Sequence, residues 1–128
     1  MKPELVWLLW ALALTFVQML VAVSGATLQV GLPALAGNRD ALPALGGWVG
    51  RAQRAQHNML ESLVLFAALV LVASLANRTN ATTLFGAQLF FWARLAYAFV
   101  YVAGIPWLRT LVWLASMAGL VVIFSQLV

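Results

Sequence analysis

Between Glu4 and Arg39 the chain carries no charged side chain, and the stretch from Leu5 to about Val30 is predominantly apolar. At about 1.5 Å of rise per residue, a helix of that length crosses a hydrocarbon core about 30 Å thick. A helix satisfies every backbone N–H and C=O within its own segment, as lipid demands, so this run commits the chain to helices in a membrane. The rest of the chain has the same character: 65% of residues are apolar and only 8% are charged. An ordinary soluble chain carries about 25% Asp, Glu, Lys and Arg. So few charges cannot cover a water-facing surface, which excludes a water-soluble enzyme and a disordered tail, and the lack of cysteine excludes a disulfide scaffold.

A secretory leader is the competing reading of the first run, because Lys2 precedes it and Ser24, Gly25 and Ala26 have cleavage-like spacing. Glu4 offsets Lys2, however, and the apolar run of about 19 residues exceeds the 7–15 of a leader, so it reads as a retained span.

Punctuation divides the remainder. Gly31, Pro33, Gly37, Pro43, Gly46 and Gly47 crowd together with Asn38, Arg39 and Asp40, which reads as one long loop. Residues Asn77 to Asn80 make a short polar turn, and Gly104 with Pro106 makes another. The expected helices cover about 5–30, 48–76, 83–103 and 107–127, in a single transmembrane domain over 1–128. The fold class is all-α: an integral membrane antiparallel four-helix bundle. Sequons at Asn77 and Asn80 read as turn residues. Trp7, Trp10, Trp48, Trp92, Trp107 and Trp113 largely cluster near span ends, as interfacial anchors do.

The net charge of +4 does not point to nucleic acid, because the basic residues form no run or face of the kind phosphates need. Their placement reports topology instead. Loops one and three share a side with Arg39, Arg51, Arg54 and Arg109, whereas the side with both termini and loop two has Lys2 and Arg78. The excess of basic residues puts loops one and three in the cytoplasm. Six arginines against one lysine in an Ala- and Leu-rich chain suggest a bacterial source, hence an inner membrane with periplasmic termini.

Several charges sit where lipid forbids them. Arg51, Arg54, Asn58 and Glu61 recur at spacings of three, four and three, within about an 80° arc of the second helix. Arg94, Tyr97 and Tyr101 form a matching stripe on the third. Measured from the short turn, Glu61 lies about 22 Å along its helix, and Arg94, Tyr97 and Tyr101 about 15, 20 and 26 Å along theirs. Glu61 is thus level with Tyr97 and within reach of Arg94, and a buried Glu61–Arg94 ion pair is expected. Arg51, Arg54, Gln56, Asn58, Tyr97, Tyr101 and Arg109 remain at the same end, rich in guanidinium and poor in carboxylate, a composition suited to an anion. With one histidine and no cysteine, no metal site is expected. The small and polar residues Thr15, Gln18, Ala22, Gly25 and Gln29 on the first helix read as a packing stripe.

The segment RAQRAQHNMLESLVLF (51–66), with Arg94, Tyr97 and Tyr101 and then Arg109, resembles the MAPEG family, membrane-associated proteins of eicosanoid and glutathione metabolism. The resemblance covers essentially the whole chain, as a short member of bacterial type. It implies a homotrimer that binds glutathione as co-substrate between protomers. On that reading Arg51, Arg54, Gln56, Asn58 and Glu61 hold the tripeptide, Arg94, Tyr97 and Tyr101 line the site, and Arg109 is the catalytic residue facing the thiol. The activity implied is a glutathione-dependent transferase or peroxidase acting on small lipophilic electrophiles that arrive from the bilayer. A non-catalytic trimeric scaffold, a binder of small anions and a small transporter stay open from the residues themselves.

Overall fold

The computed structural model describes residues 1–38 and 44–128. Arg39, counted above in the charge asymmetry, lies outside them, as do Asp40 and Pro43 of the long loop. The elements in order are α1 (Pro3–Val30), α2 (Leu32–Ala36), α3 (Gly47–Leu75), α4 (Ala81–Ala103) and α5 (Pro106–Ser125). All but α2 are long and apolar enough to cross a membrane, and the described residues are 85% helical with no strand among them. It is an all-α, four-helix integral membrane bundle.

Local chemistry sets the helix ends. Gly31, at φ 86°, ends α1, and α2 follows at once with Pro33 in its first turn. Before α4, the Asn80 side chain accepts hydrogen bonds from the backbone N–H groups of Thr82 and Thr83, while the Thr83 hydroxyl accepts from the Asn80 backbone N–H. This capping box satisfies donors that the helix cannot. Gly104, at φ 81°, closes α4, and Pro106 opens α5, where its missing N–H costs nothing.

Close approaches of backbone lock the helices. A Cβ on Gly119 would lie 2.8 Å from the Gly86 carbonyl oxygen and 2.9 Å from the Phe90 nitrogen, so α4 and α5 cross backbone to backbone. Gly25 admits the Trp48 ring and Val49 in the same way, seating α1 on the start of α3. The Gln29 carboxamide clamps both backbone groups of Gly46, at 2.8 and 3.1 Å, and so ties α1 to the entry of α3. At the centre Phe66 and Phe90 stack with centroids 4.1 Å apart, inside a core with Met59, Val70 and Ile123.

Outside the core the usual polarity is reversed. Phe16, Val23, Val64, Leu111, Val121 and Phe124 point outward, each more than half exposed, a surface that suits acyl chains. The bundle is also not a closed square. Among the described residues α1 packs on α3 and α4, and α5 packs on α4 and more lightly on α3, but α1 and α5 do not meet. The gap between α3 and α5 is where the polar residues gather.

Candidate functional site

The arginines reach the gap from three helices. Arg94, on α4, is only 1% exposed. One of its nitrogens, Nη2, donates to Asn58 Oδ1 on α3 at 2.8 Å, and its guanidinium lies over the Tyr97 ring, 4.2 Å from the centroid. Nε and Nη1 are buried with no partner. Buried guanidinium N–H groups without acceptors are expensive, the more so away from water.

One turn nearer the helix ends, Arg54 Nε donates to the Tyr101 hydroxyl at 3.2 Å. From α5, Arg109 lies over the Tyr101 ring, 4.8 Å from its centroid. Tyr97 and Tyr101 are themselves 5.4 Å apart. The result is a ladder of two rings between two cations, from Arg94 through Tyr97 and Tyr101 to Arg109, each step a cation–π or ring contact.

The ladder walls an open cavity of about 300 Å³ bounded by Arg54, Asn58, Tyr97, Tyr101, Arg109 and Trp113, with Thr110 at its rim. Among the described residues two guanidinium groups face it and no carboxylate does. An adjoining cavity of about 220 Å³ shares Asn58 and Trp113 and is completed by Glu61, Ser62, Leu65 and Met117.

The expected Glu61–Arg94 ion pair is not formed. Glu61 is exposed on the α5 side of α3, and Arg94 bonds Asn58 instead. Rise along the helix places Glu61 level with Tyr97 and within an arginine's reach of Arg94. The directions of the two charges around the helix differ, and Asn58, one turn away, lies nearer the guanidinium.

The other site residues separate. Arg51 Nε donates to the Val102 carbonyl at 2.9 Å, and its side chain lies against Gly104. A cation there complements the C-terminal end of the α4 dipole. Gln56 lies on another side of α3, in a cavity of about 340 Å³ that it shares with His57, Gln53 and residues of α1 and α2. The structure therefore gathers Arg54, Asn58, Tyr97, Tyr101 and Arg109 around one space, places Arg94 behind it and Glu61 beside it, and leaves Arg51 and Gln56 elsewhere.

Trp113 was read as an interfacial anchor but forms a wall of the cavity. Its position four residues after Arg109 was the available signal. Glu4 was missed altogether: it is 3% exposed and accepts a hydrogen bond from the Thr83 hydroxyl at 3.3 Å. Nothing in its flanking sequence marks it as buried.

The sequence model of one family, described as MAPEG family, matches residues 5–128. No curated protein and no solved structure matches the chain.

Proposed function

The chain belongs to the MAPEG family, integral membrane proteins associated with glutathione and eicosanoid metabolism, and on that premise we propose that it is a glutathione-dependent transferase or peroxidase acting on lipophilic electrophiles. The observation that carries the reading is the cavity into which Arg54 and Arg109 converge and which, among the described residues, no carboxylate faces. An anionic tripeptide supplies the charge that the cavity lacks, since guanidinium groups bind carboxylates through paired, charge-assisted hydrogen bonds.

Arg54 and Asn58 hold the carboxylate and amide groups, and the tyrosines line the thiol end. Arg109, held over the Tyr101 ring, presents positive charge to the sulfur. A free thiol has a pKa of about 8.5, and a neighbouring cation favours the thiolate. In conjugation the thiol proton leaves to solvent at the open mouth of the cavity. The sulfur then forms a bond to the electrophilic carbon, and the leaving group departs with its electron pair. Exposed apolar side chains along α5, such as Leu108 and Leu111, give a lipophilic partner a route from the bilayer.

Gln56 bears on assembly. It faces away from the cavity that Arg54 and Asn58 line, so it contacts the same ligand only when supplied by a neighbouring protomer. A homotrimer with glutathione between protomers meets that requirement and also covers the exposed Glu61. Loops one and three lie on the cytoplasmic side of a bacterial inner membrane in this reading, with Arg51, Arg54 and Arg109 at that end.

The alternative is a non-catalytic trimeric scaffold or a binder of small anions. It draws on the bonds that Arg51, Arg54 and Arg94 already make within the protomer. Titration calorimetry with glutathione, combined with the ultraviolet absorbance of its thiolate, separates the readings. Binding with a thiolate signal supports the enzyme, binding without one leaves an anion-binding protein, and no binding leaves the scaffold.

A further inference from the structure

We propose that the cleft between α1 and α4 is a second binding site, open to the bilayer, for a long-chain amphiphile that offers a neutral O–H donor to Gln18. The two helices run parallel and are joined near their N-terminal ends, where Thr83 donates to Glu4 and Trp7 packs on Phe91 and Trp92 with centroids 5.4 and 6.0 Å apart. Further along they part. The space between them is a cavity of about 440 Å³, walled by Leu14, Val17 and Gln18 of α1 and Leu95 and Phe99 of α4, over Ala52 of α3. That volume lies within the range of small-molecule sites.

One polar side chain interrupts this apolar lining. Gln18 Oε1 is buried and has no hydrogen-bond partner. It sits about 22 Å along α1 from Pro3, at a depth where water is scarce and an unmet acceptor is costly. The surrounding side chains are hydrocarbon, and the nearby backbone N–H groups belong to helices that already use them. The missing donor therefore comes from outside the protomer. Among the described residues no charged side chain lines the cleft, so an ionised headgroup would find no counter-charge and the donor is neutral.

Access is lateral. Val17 and Phe99 on the two rims are 53% and 71% exposed, so an alkyl chain slides in from the lipid without entering water. The cleft is distinct from the polar cavity: Tyr97 and Phe99 are two residues apart, about 200° around α4, and face opposite sides of it.

The test uses the full chain in phosphatidylcholine nanodiscs and a diazirine-bearing analogue of hexadecanol, with labelled peptides located by mass spectrometry. Labelling is expected in the segments 14–21 and 95–103 that line the cleft. Hexadecanol should compete about five-fold better than hexadecane, the worth of one neutral hydrogen bond. Gln18→Leu removes a buried polar group and should keep the label while erasing that preference. Val17→Trp, which fills the cleft, should remove the label from both segments. Label spread evenly over all outward faces would overturn the proposal. So would an alcohol preference that persists in Gln18→Leu, or cross-links showing that a neighbouring copy occupies the cleft.

Discussion

Arg94 Nη2 lies 2.8 Å from Asn58 Oδ1, and this bond joins α3 to α4 with a charge that is almost wholly buried. Its neutral acceptor leaves the guanidinium charge uncompensated, with two N–H faces unmet. Asn58→Leu should therefore destabilise the detergent-solubilised, ligand-free protein by on the order of 3 kcal/mol, because it removes the acceptor on Asn58 and leaves the buried cation only the face of Tyr97. Adding Arg94→Met should recover part of that loss. Glu61→Gln, at an exposed position, should change stability by less than about 0.5 kcal/mol. Thermal unfolding of the four proteins decides the matter, and a large loss from Glu61→Gln with none from Asn58→Leu would restore the ion pair.

A second prediction concerns the glycine crossing. Gly119→Ala places a methyl carbon 2.8 Å from the Gly86 carbonyl oxygen, closer than packed atoms tolerate, so α4 and α5 must separate. The expected cost is about 1–3 kcal/mol. Gly46→Ala is the control: a Cβ there meets nothing within 4 Å, and its φ of −115° is open to any residue. Equal melting temperatures for the two variants would show that the crossing is looser than described.

Hydrophobic length and turn chemistry made the four membrane-spanning helices legible, because a run of apolar residues between Gly, Pro and Asn has few alternatives in lipid. Spacing of three and four likewise placed Arg54 and Asn58 on one face, where they border the same cavity. Azimuth between helices was not legible. Rise fixes how deep Glu61 and Arg94 lie, whereas which way each points depends on how α3 and α4 are rotated. That rotation is set by contacts such as Phe66 on Phe90. Arg51 belongs to the same arc as Arg54 yet bonds the end of α4, a difference that depends on where Gly104 terminates that helix. The short α2 was hidden by the punctuation that flanks it, since Gly31 and Pro33 read equally well as loop.

Orientation gives a third prediction. The chain has no cysteine, so single substitutions report position cleanly. Ala44 and Ala76 are exposed at opposite ends of α3. With an impermeant maleimide on intact cells, Ala76→Cys should label and Ala44→Cys should label only after permeabilisation. The reverse pattern would turn the protein over in the membrane.

The last prediction separates three arginines that share one end of the bundle. Arg54 faces the cavity through α3, bonded among the described residues only to a tyrosine hydroxyl, so Arg54→Ala removes a charge-assisted contact to the ligand. Glutathione affinity should weaken by about 1.5–3 kcal/mol, with turnover at saturation less affected. Arg109 lies at the far end of the cation and ring ladder. If it stabilises the thiolate, Arg109→Ala should leave affinity within a few-fold of normal and lower both the thiolate absorbance and kcat, since its interaction grows as charge develops on sulfur. Arg51 bonds the Val102 carbonyl and borders no part of that cavity. Arg51→Ala should therefore reduce thermal stability by about 1–2 kcal/mol through the end of α4, with ligand affinity and kcat nearly unchanged. Calorimetry, the thiolate spectrum and conjugation of a model aryl halide, run on the same three variants, read out affinity, activation and turnover separately. Three variants that lose affinity and turnover in parallel would mean that the arginines act only through the fold, and the assignment of Arg109 to the sulfur would fall.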